Sequence, residues 1–189
     1  DLHSFPTRRS SDLEIGIYFT TTTIKYATIS LGGDLTLNEN NKGIYCGNYG
    51  TLSFQKETTS DVTIYTNSNR EIGIQSKYSD GCSESTTISI YDINIRSDYD
   101  NIGLFTCGTM NITANPNDRK TINITNPLKA AIQVNASGTF NCENMIIKGS
   151  ADNFFLLTGK ISSTTFENTD IKINSAMAFY ATQQDKIYF

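Results

Sequence analysis

Residues 102–113 read Ile102-Gly103-Leu104-Phe105-Thr106-Cys107-Gly108-Thr109-Met110-Asn111-Ile112-Thr113. A short apolar strand, a glycine turn and a second strand alternating apolar with polar residues follow one another here. Alternation with period two marks strands that bury one face. The unit returns along the chain. Its inward residue aligns as Ile17, Ile44, Ile74, Leu104, Ile132, Leu156 and Phe179, at steps of 27, 30, 30, 28, 24 and 23 residues. A recurrence of roughly twenty to thirty residues is the mark of a solenoid, in which each unit covers the apolar face its neighbour cannot bury alone.

Working outward from the anchors, Ile15, Ile17 and Phe19 are expected to share one face, with Gly16 and Tyr18 opposite. The same frame predicts inward pairs Ile44/Cys46, Ile72/Ile74, Ile102/Leu104, Ile132/Val134, Phe154/Leu156 and Met177/Phe179. Turns rich in Gly, Asn, Ser or Asp follow, at Gly47-Asn48-Tyr49-Gly50, Ser79-Asp80-Gly81, Gly108, Ser137-Gly138 and Gly159. A second strand carries Leu52/Phe54, Ile88/Ile90, Met110/Ile112 and Phe140/Cys142, then Ile161. A third carries Val62/Ile64, Ile93/Ile95, Ile122/Ile124, Met145/Ile147 and Ile171/Ile173. Three short strands per repeat predict an all-β chain: a right-handed parallel β-helix of about seven coils. At about 4.8 Å per rung the column would stand roughly 30 Å tall. A leucine-rich or hexapeptide repeat fits none of the units, and a β-sandwich gives no reason for the triplet to recur.

Composition agrees with a narrow core. Hydrophobic residues make up 38% and charged residues 18%, both low for a globular domain, and Thr, Ser and Asn fill the difference. No apolar run approaches the roughly 18 residues that span a bilayer. A net charge of −4 with no Lys/Arg cluster speaks against nucleic acid as a partner. Residues 1–13, Asp1 to Leu13, lack the periodicity and resemble the in-frame translation of a sequencing adapter, so the fold is expected in a single domain over 14–189. The only histidine, His3, falls in that artefactual tail. The last strand, Lys186-Ile187-Tyr188-Phe189, stops in mid-pattern, which reads as a piece cut from a longer β-helix.

Candidate chemistry is sparse. Cys46, Cys82, Cys107 and Cys142 are even in number, yet the register sets Cys46 inward and Cys107 outward. Two rungs would separate that pair by about 9.6 Å, too far for a bridge. Free thiols are therefore expected, and without a CxxC or a second ligand type no zinc. Triads and imidazole acid–base chemistry lack their histidine. A pair of carboxylates would suffice for glycoside hydrolysis, but the acidic residues fall at unrelated phases and no Asp-Asp pair occurs. Asn168-Thr169-Asp170 resembles a tripeptide of β-helical polygalacturonases; the Asp-Asp pair, Gly-His-Gly and Arg-x-Lys that accompany it there are missing. Asp98-Tyr99-Asp100-Asn101 lacks the glycine and distal glutamate of a calcium loop and reads as a solvated turn. The sequons at Asn111, Asn123 and Asn135 read as turn formers. No catalytic, metal-binding or cofactor residue is assigned, and no cofactor is expected.

Gly43-Ile44-Tyr45 with Thr51-Leu52-Ser53-Phe54, Gly103-Leu104-Phe105 with Thr109-Met110-Asn111-Ile112, and Ala131-Ile132-Gln133-Val134 with Gly138-Thr139-Phe140 resemble coils of the pectin-lyase-like right-handed β-helix superfamily. Within it the likeness is to repeat-built surface proteins and adhesins of bacteria or archaea. The resemblance implies a secreted or surface-anchored passenger that holds a binding surface away from the cell. The repeat and the missing histidine add the expectation of a non-catalytic structural or adhesive region, with a carbohydrate or a host or cell-surface protein as partner. Outward aromatics such as Tyr18, Tyr45, Tyr49 and Phe105 suit such a partner. The alternative is a fragment of a β-helical polysaccharide lyase or glycoside hydrolase. Three or more Asp, Glu, Lys or Arg converging in one groove would weigh for that alternative.

Overall fold

A computed structural model describes residues 15–77, 86–159, 162–182 and 185–189. Among them the chain forms sixteen strands and no helix. They are β1 (Ile15–Leu31), β2 (Leu35–Asn38), β3 (Lys42–Lys56), β4 (Thr63–Asn67), β5 (Ile72–Lys77), β6 (Thr87–Tyr91), β7 (Asn94–Asp98) and β8 (Ile102–Thr106), followed by β9 (Thr109–Thr113), β10 (Lys120–Thr125), β11 (Ala130–Asn135), β12 (Thr139–Glu143), β13 (Met145–Thr158), β14 (Ser163–Glu167), β15 (Asp170–Ala181) and β16 (Lys186–Tyr188). Every pairing between them is parallel.

The strands stack into a three-faced solenoid of about six turns. The first face holds the starts of β1 and β3, then β5, β8, β11 and the ends of β13 and β15. The second holds the ends of β1 and β3, then β6, β9, β12, β14 and β16. The third holds β2, β4, β7, β10 and the starts of β13 and β15. The expected fold class is thus the one found.

Why these residues stack is visible in the columns. Ile17 faces Ile44, then Ile74, Leu104 and Ile132 in successive rungs. From Ile44 to Ile132 each is at most 1% exposed, and fully burying such a side chain contributes about 1.5–3 kcal/mol. Second-strand pairs Leu52/Phe54, Ile88/Ile90, Met110/Ile112 and Phe140/Cys142 fill the same core, as do Val62/Ile64, Ile93/Ile95, Ile122/Ile124 and Met145/Ile147.

Three expectations are corrected. The column continues through Phe155 and Phe179, not Leu156, because Ile132 pairs with Phe155. Phe155 then stacks on Phe179 with centroids 4.5 Å apart and planes 6° apart. Met177, read as inward, is 40% exposed. Ile72 and Ile102 leave the interior frame and join Phe105 and Cys107 in a separate apolar cluster. The cause is the corner before each anchor, where Gly43, Gly73 and Gly103 lie so close to the next rung that a Cβ would meet its backbone oxygen at 2.5–2.8 Å. Alternation breaks there. Tyr18, Phe105 and the Ile72/Ile102 positions consequently gather on the outer wall of the first face. Ile161 and the Ser79-Asp80-Gly81 turn lie outside the described residues, as do Cys82 and residues 1–13.

The corner from the third face to the first uses one residue at positive φ per turn: Glu39, Ser68, Tyr99 and Asn126, at 52–59°. Each donates its backbone N–H to the next coil, as Ser68 does to the Asp98 carbonyl at 3.0 Å. Repetition of a sparsely populated conformation shows that stacking imposes it.

Candidate functional site

Turning the anchor column inside out gives the residues that face away from it. Tyr18, Tyr45, Gln75, Phe105, Gln133, Leu156 and Tyr180 occupy one position in seven successive rungs of the first face. With about 4.8 Å between rungs, they form a single outward file. Its upper part lines a groove of about 450 Å³ together with Ile15, Lys42, Glu71, Ile72 and Lys77.

Aromatic faces and polar atoms alternate within it. The Tyr18 ring stacks on Tyr45 at 5.3 Å with 7° between planes. Lys42 Nζ stands 5.7 Å from the Tyr45 ring centre and 2.7 Å from Glu71 Oε2. The Tyr45 hydroxyl donates to the Lys77 carbonyl at 3.4 Å. Burial, then the neighbouring Tyr18 and Cys46, raise the Tyr45 pKa, so the phenol stays protonated at neutral pH. Phe105 is only 8% exposed, its ring packed beside Ile72 and Ile102.

Gln75 and Gln133 set this wall apart. They are 3% and 6% exposed. Neither Oε1 atom finds a hydrogen-bond partner among the described residues. Gln133 Nε2 donates to Thr158 Oγ1 at 3.4 Å, which leaves its oxygen idle. A buried acceptor without a donor costs about 1–3 kcal/mol, and a ligand hydroxyl or amide would supply that donor. The expected outward aromatics therefore come together in part. Tyr18 and Tyr45 stack and Phe105 is two rungs below Tyr45, while Tyr49 lies further along β3, where that strand passes from the first face to the second. The glutamines were not singled out; aligning the residue after each anchor would have placed them in file with the tyrosines.

The groove also gathers Lys42, Glu71 and Lys77, which meets the count of three charged residues. Its chemistry is thin for hydrolysis by two carboxylates, since Glu71 is the one acid among its described lining residues and Lys42 holds it.

Elsewhere the candidate residues serve the scaffold. Asn168 takes positive φ at a corner and donates to Asn144 Oδ1 at 2.8 Å. Thr169 Oγ1 donates to the Glu167 carbonyl at 2.9 Å. Asp170 is held by Arg119 and Lys172 at 3.3 and 3.4 Å; the Arg119 hydrogen bond leads in lowering its pKa. Asn168 and Thr169 thus form the corner before β15, and Asp170 opens that strand. Asp100, read as part of a solvated turn, is fully buried. Its Oδ1 accepts from Asn69 N and Nδ2 at 2.8 and 2.9 Å, and its Oδ2 from Thr66 and Ser97 hydroxyls, both at 2.7 Å. Desolvation outweighs these bonds and raises its pKa. No group of three or more His, Cys, Asp or Glu suited to a metal ion occurs among the described residues.

Cys46 and Cys142 are free and buried, as expected. Burial pushes both thiols up to about 12, so neither is a nucleophile at neutral pH. Cys107 corrects the expectation: it is disulfide-bonded, and its side chain is buried in the outer cluster. Among the described residues no helix is long and apolar enough to cross a membrane. No family model, curated protein or solved structure gives a significant match to this chain.

Proposed function

We propose that this chain is a non-catalytic, surface-exposed structural and adhesive region of a β-solenoid, secreted or held at a cell surface, which contacts a carbohydrate or a host or cell-surface protein. The observation that carries the reading is the outward file of Tyr18, Tyr45, Gln75, Phe105 and Gln133, with two buried amide oxygens that find no donor among the described residues. Aromatic faces beside hydrogen-bond acceptors suit sugar rings or a protein flank. A disulfide at Cys107 supports an oxidising compartment. The fold itself is common to binding and catalytic proteins, so the argument rests on the site.

The second reading, a piece of a β-helical polysaccharide lyase or hydrolase, is favoured by Lys42, Glu71 and Lys77 sharing the groove. Incubation with pectins, alginate and host glycans separates the two. Retention of at least one, with no new reducing or unsaturated ends, is expected. Turnover of any of them would install the second reading, and failure to retain any would remove adhesion to these glycans.

A further inference from the structure

The outer wall of the second face is built differently from that of the first. Thr51, Thr87, Thr109, Thr139 and Ser163 stand in one file across five successive rungs. Two residues further along the same strands, Ser53, Ser89, Asn111, Asn141 and Thr165 form a second file. None of the ten carries a charge. The strands pair without a register shift, so the side chains repeat about every 4.8 Å down a file and about 6.7 Å between files. Lateral bonds tie side chains of neighbouring rungs together: Asn141 Nδ2 donates to Asn111 Oδ1 at 2.9 Å and Ser163 Oγ to Thr139 Oγ1 at 3.3 Å.

Three exposed tyrosines frame the array. Tyr26 sits one rung above Thr51, and Tyr188 one rung beyond Thr165. Tyr91 projects from the neighbouring file, two residues beyond Ser89. They are 77%, 50% and 53% exposed respectively. Six rungs separate Tyr26 from Tyr188, about 29 Å, and the three files span about 13 Å. Strand propensity accounts for Thr and Tyr alike in a sheet, but not for the placing of exposed rings at the borders of a plane whose ten central positions carry no charge. Charge enters at the rim: at Glu143 and Glu167 in the outer file, and at the exposed Lys186, which continues the first file one rung beyond Ser163, so neutrality holds over the ten central positions.

We propose that this wall binds the flat surface of an insoluble, uncharged polysaccharide. Rings at the borders stack on sugar faces, and the hydroxyls and amides between them both donate and accept. A single soluble chain would cover one file; the breadth fits several chains lying side by side. Absence of charge from the ten central positions fits a neutral solid; with Lys186 alone at one end of these two files, the array offers an acidic polymer or a phosphate backbone no run of counter-charges. The site is distinct from the first-face groove and does not depend on it.

The test is depletion of the intact protein by microcrystalline cellulose and by chitin, the two arms separating hydroxyl-only from acetamido surfaces. Retention on at least one is expected, unchanged between low and high salt and not displaced by soluble oligosaccharides. The Tyr26→Ala/Tyr91→Ala/Tyr188→Ala variant, which alters only exposed side chains, should lose retention by about tenfold or more, because the rings supply the main attractive contacts. Thr109→Lys, which sets a charge in the array, should weaken it with all rings intact. Leu128→Ala, which removes a 78%-exposed apolar side chain outside both walls, should leave retention unchanged, and soluble pectins or host glycans offered to the first-face groove should not release the protein from the solid, so failure of the groove reading and failure of this one are distinguishable. No retention on either solid, equal retention by the triple variant, or loss at high salt would overturn the proposal. So would a concentration-dependent dimer that the triple variant abolishes, which would give the wall to a second copy of the chain.

Discussion

Leu104 and Phe105 are neighbours in the chain and stand on opposite sides of one wall. Inside, Ile44, Ile74, Leu104 and Ile132 repeat nearly the same aliphatic shape, and packing explains each of them. Outside, Tyr45, Gln75, Phe105 and Gln133 occupy the same rungs with dissimilar side chains, two of them buried amides whose oxygens lack donors among the described residues. The interior column satisfies itself. The exterior one leaves acceptors idle, and this difference is what points to a ligand there.

The largest effect should come from the inner side. Leu104→Ala is expected to cost about 2–5 kcal/mol, as enclosed leucines do, whereas Phe105 lines the open groove, so its truncation leaves no closed cavity and Phe105→Ala should cost about 1.5–3 kcal/mol, the transfer term alone. Chemical denaturation of both variants checks the order; an equal or larger loss at Phe105 would erase the distinction between the walls.

Next comes the corner where the walls meet. Asp100 has a folded pKa raised above its unfolded value of about 3.9. The folded chain thus holds this proton more tightly, and the Asp100 contribution to stability falls as pH rises from about 4 through the folded pKa. Asp61 and Asp170, lowered chiefly by hydrogen bonds from Lys120 and Arg119, act oppositely: their contribution is present above about 4 and is lost as pH falls through their folded values. Asp100→Asn keeps one acceptor for Asn69 and offers donors to the Thr66 and Ser97 hydroxyls. It should match or exceed the parent at pH 7 and show a steeper loss of stability towards pH 4 than the parent. A variant that is less stable at pH 7 would show that the carboxylate itself is required.

The smallest change in stability, and the most telling for function, is expected from Gln75→Leu. Removing a buried acceptor without a donor among the described residues should leave stability equal or higher by up to about 1 kcal/mol, while retention on the pectin, alginate or host glycan that the groove holds falls. Undiminished retention would return Gln75 to the scaffold.

Much of the interior was legible because period two, β-branched residues and glycine turns agree with one another at Ile44, Ile74, Leu104 and Ile132. Legibility failed where apolar residues run together. Phe154-Phe155-Leu156-Leu157 satisfies two alternating frames, and only aromatic stacking of Phe155 on Phe179 chooses between them. At Ile72 and Ile102 it failed because Gly73 and Gly103 interrupt the pleat at a corner. Asp100 looked solvated because its four donors come from residues as far back as Thr66, and no local pattern announces them. The outer glutamines resemble any surface amide until burial is known.

The claim beneath all of this is that successive coils lie in register, one directly over the next. Ser89 and Asn111 are partners on adjacent rungs, and Asn141 lies one rung further. Cysteines at Ser89 and Asn111 should form an intramolecular disulfide on mild oxidation, detected by peptide mass spectrometry, because about 4.8 Å suits the bridge. Cysteines at Ser89 and Asn141, about 9.6 Å apart, should not. Bridging of the second pair with failure of the first would contradict the stack.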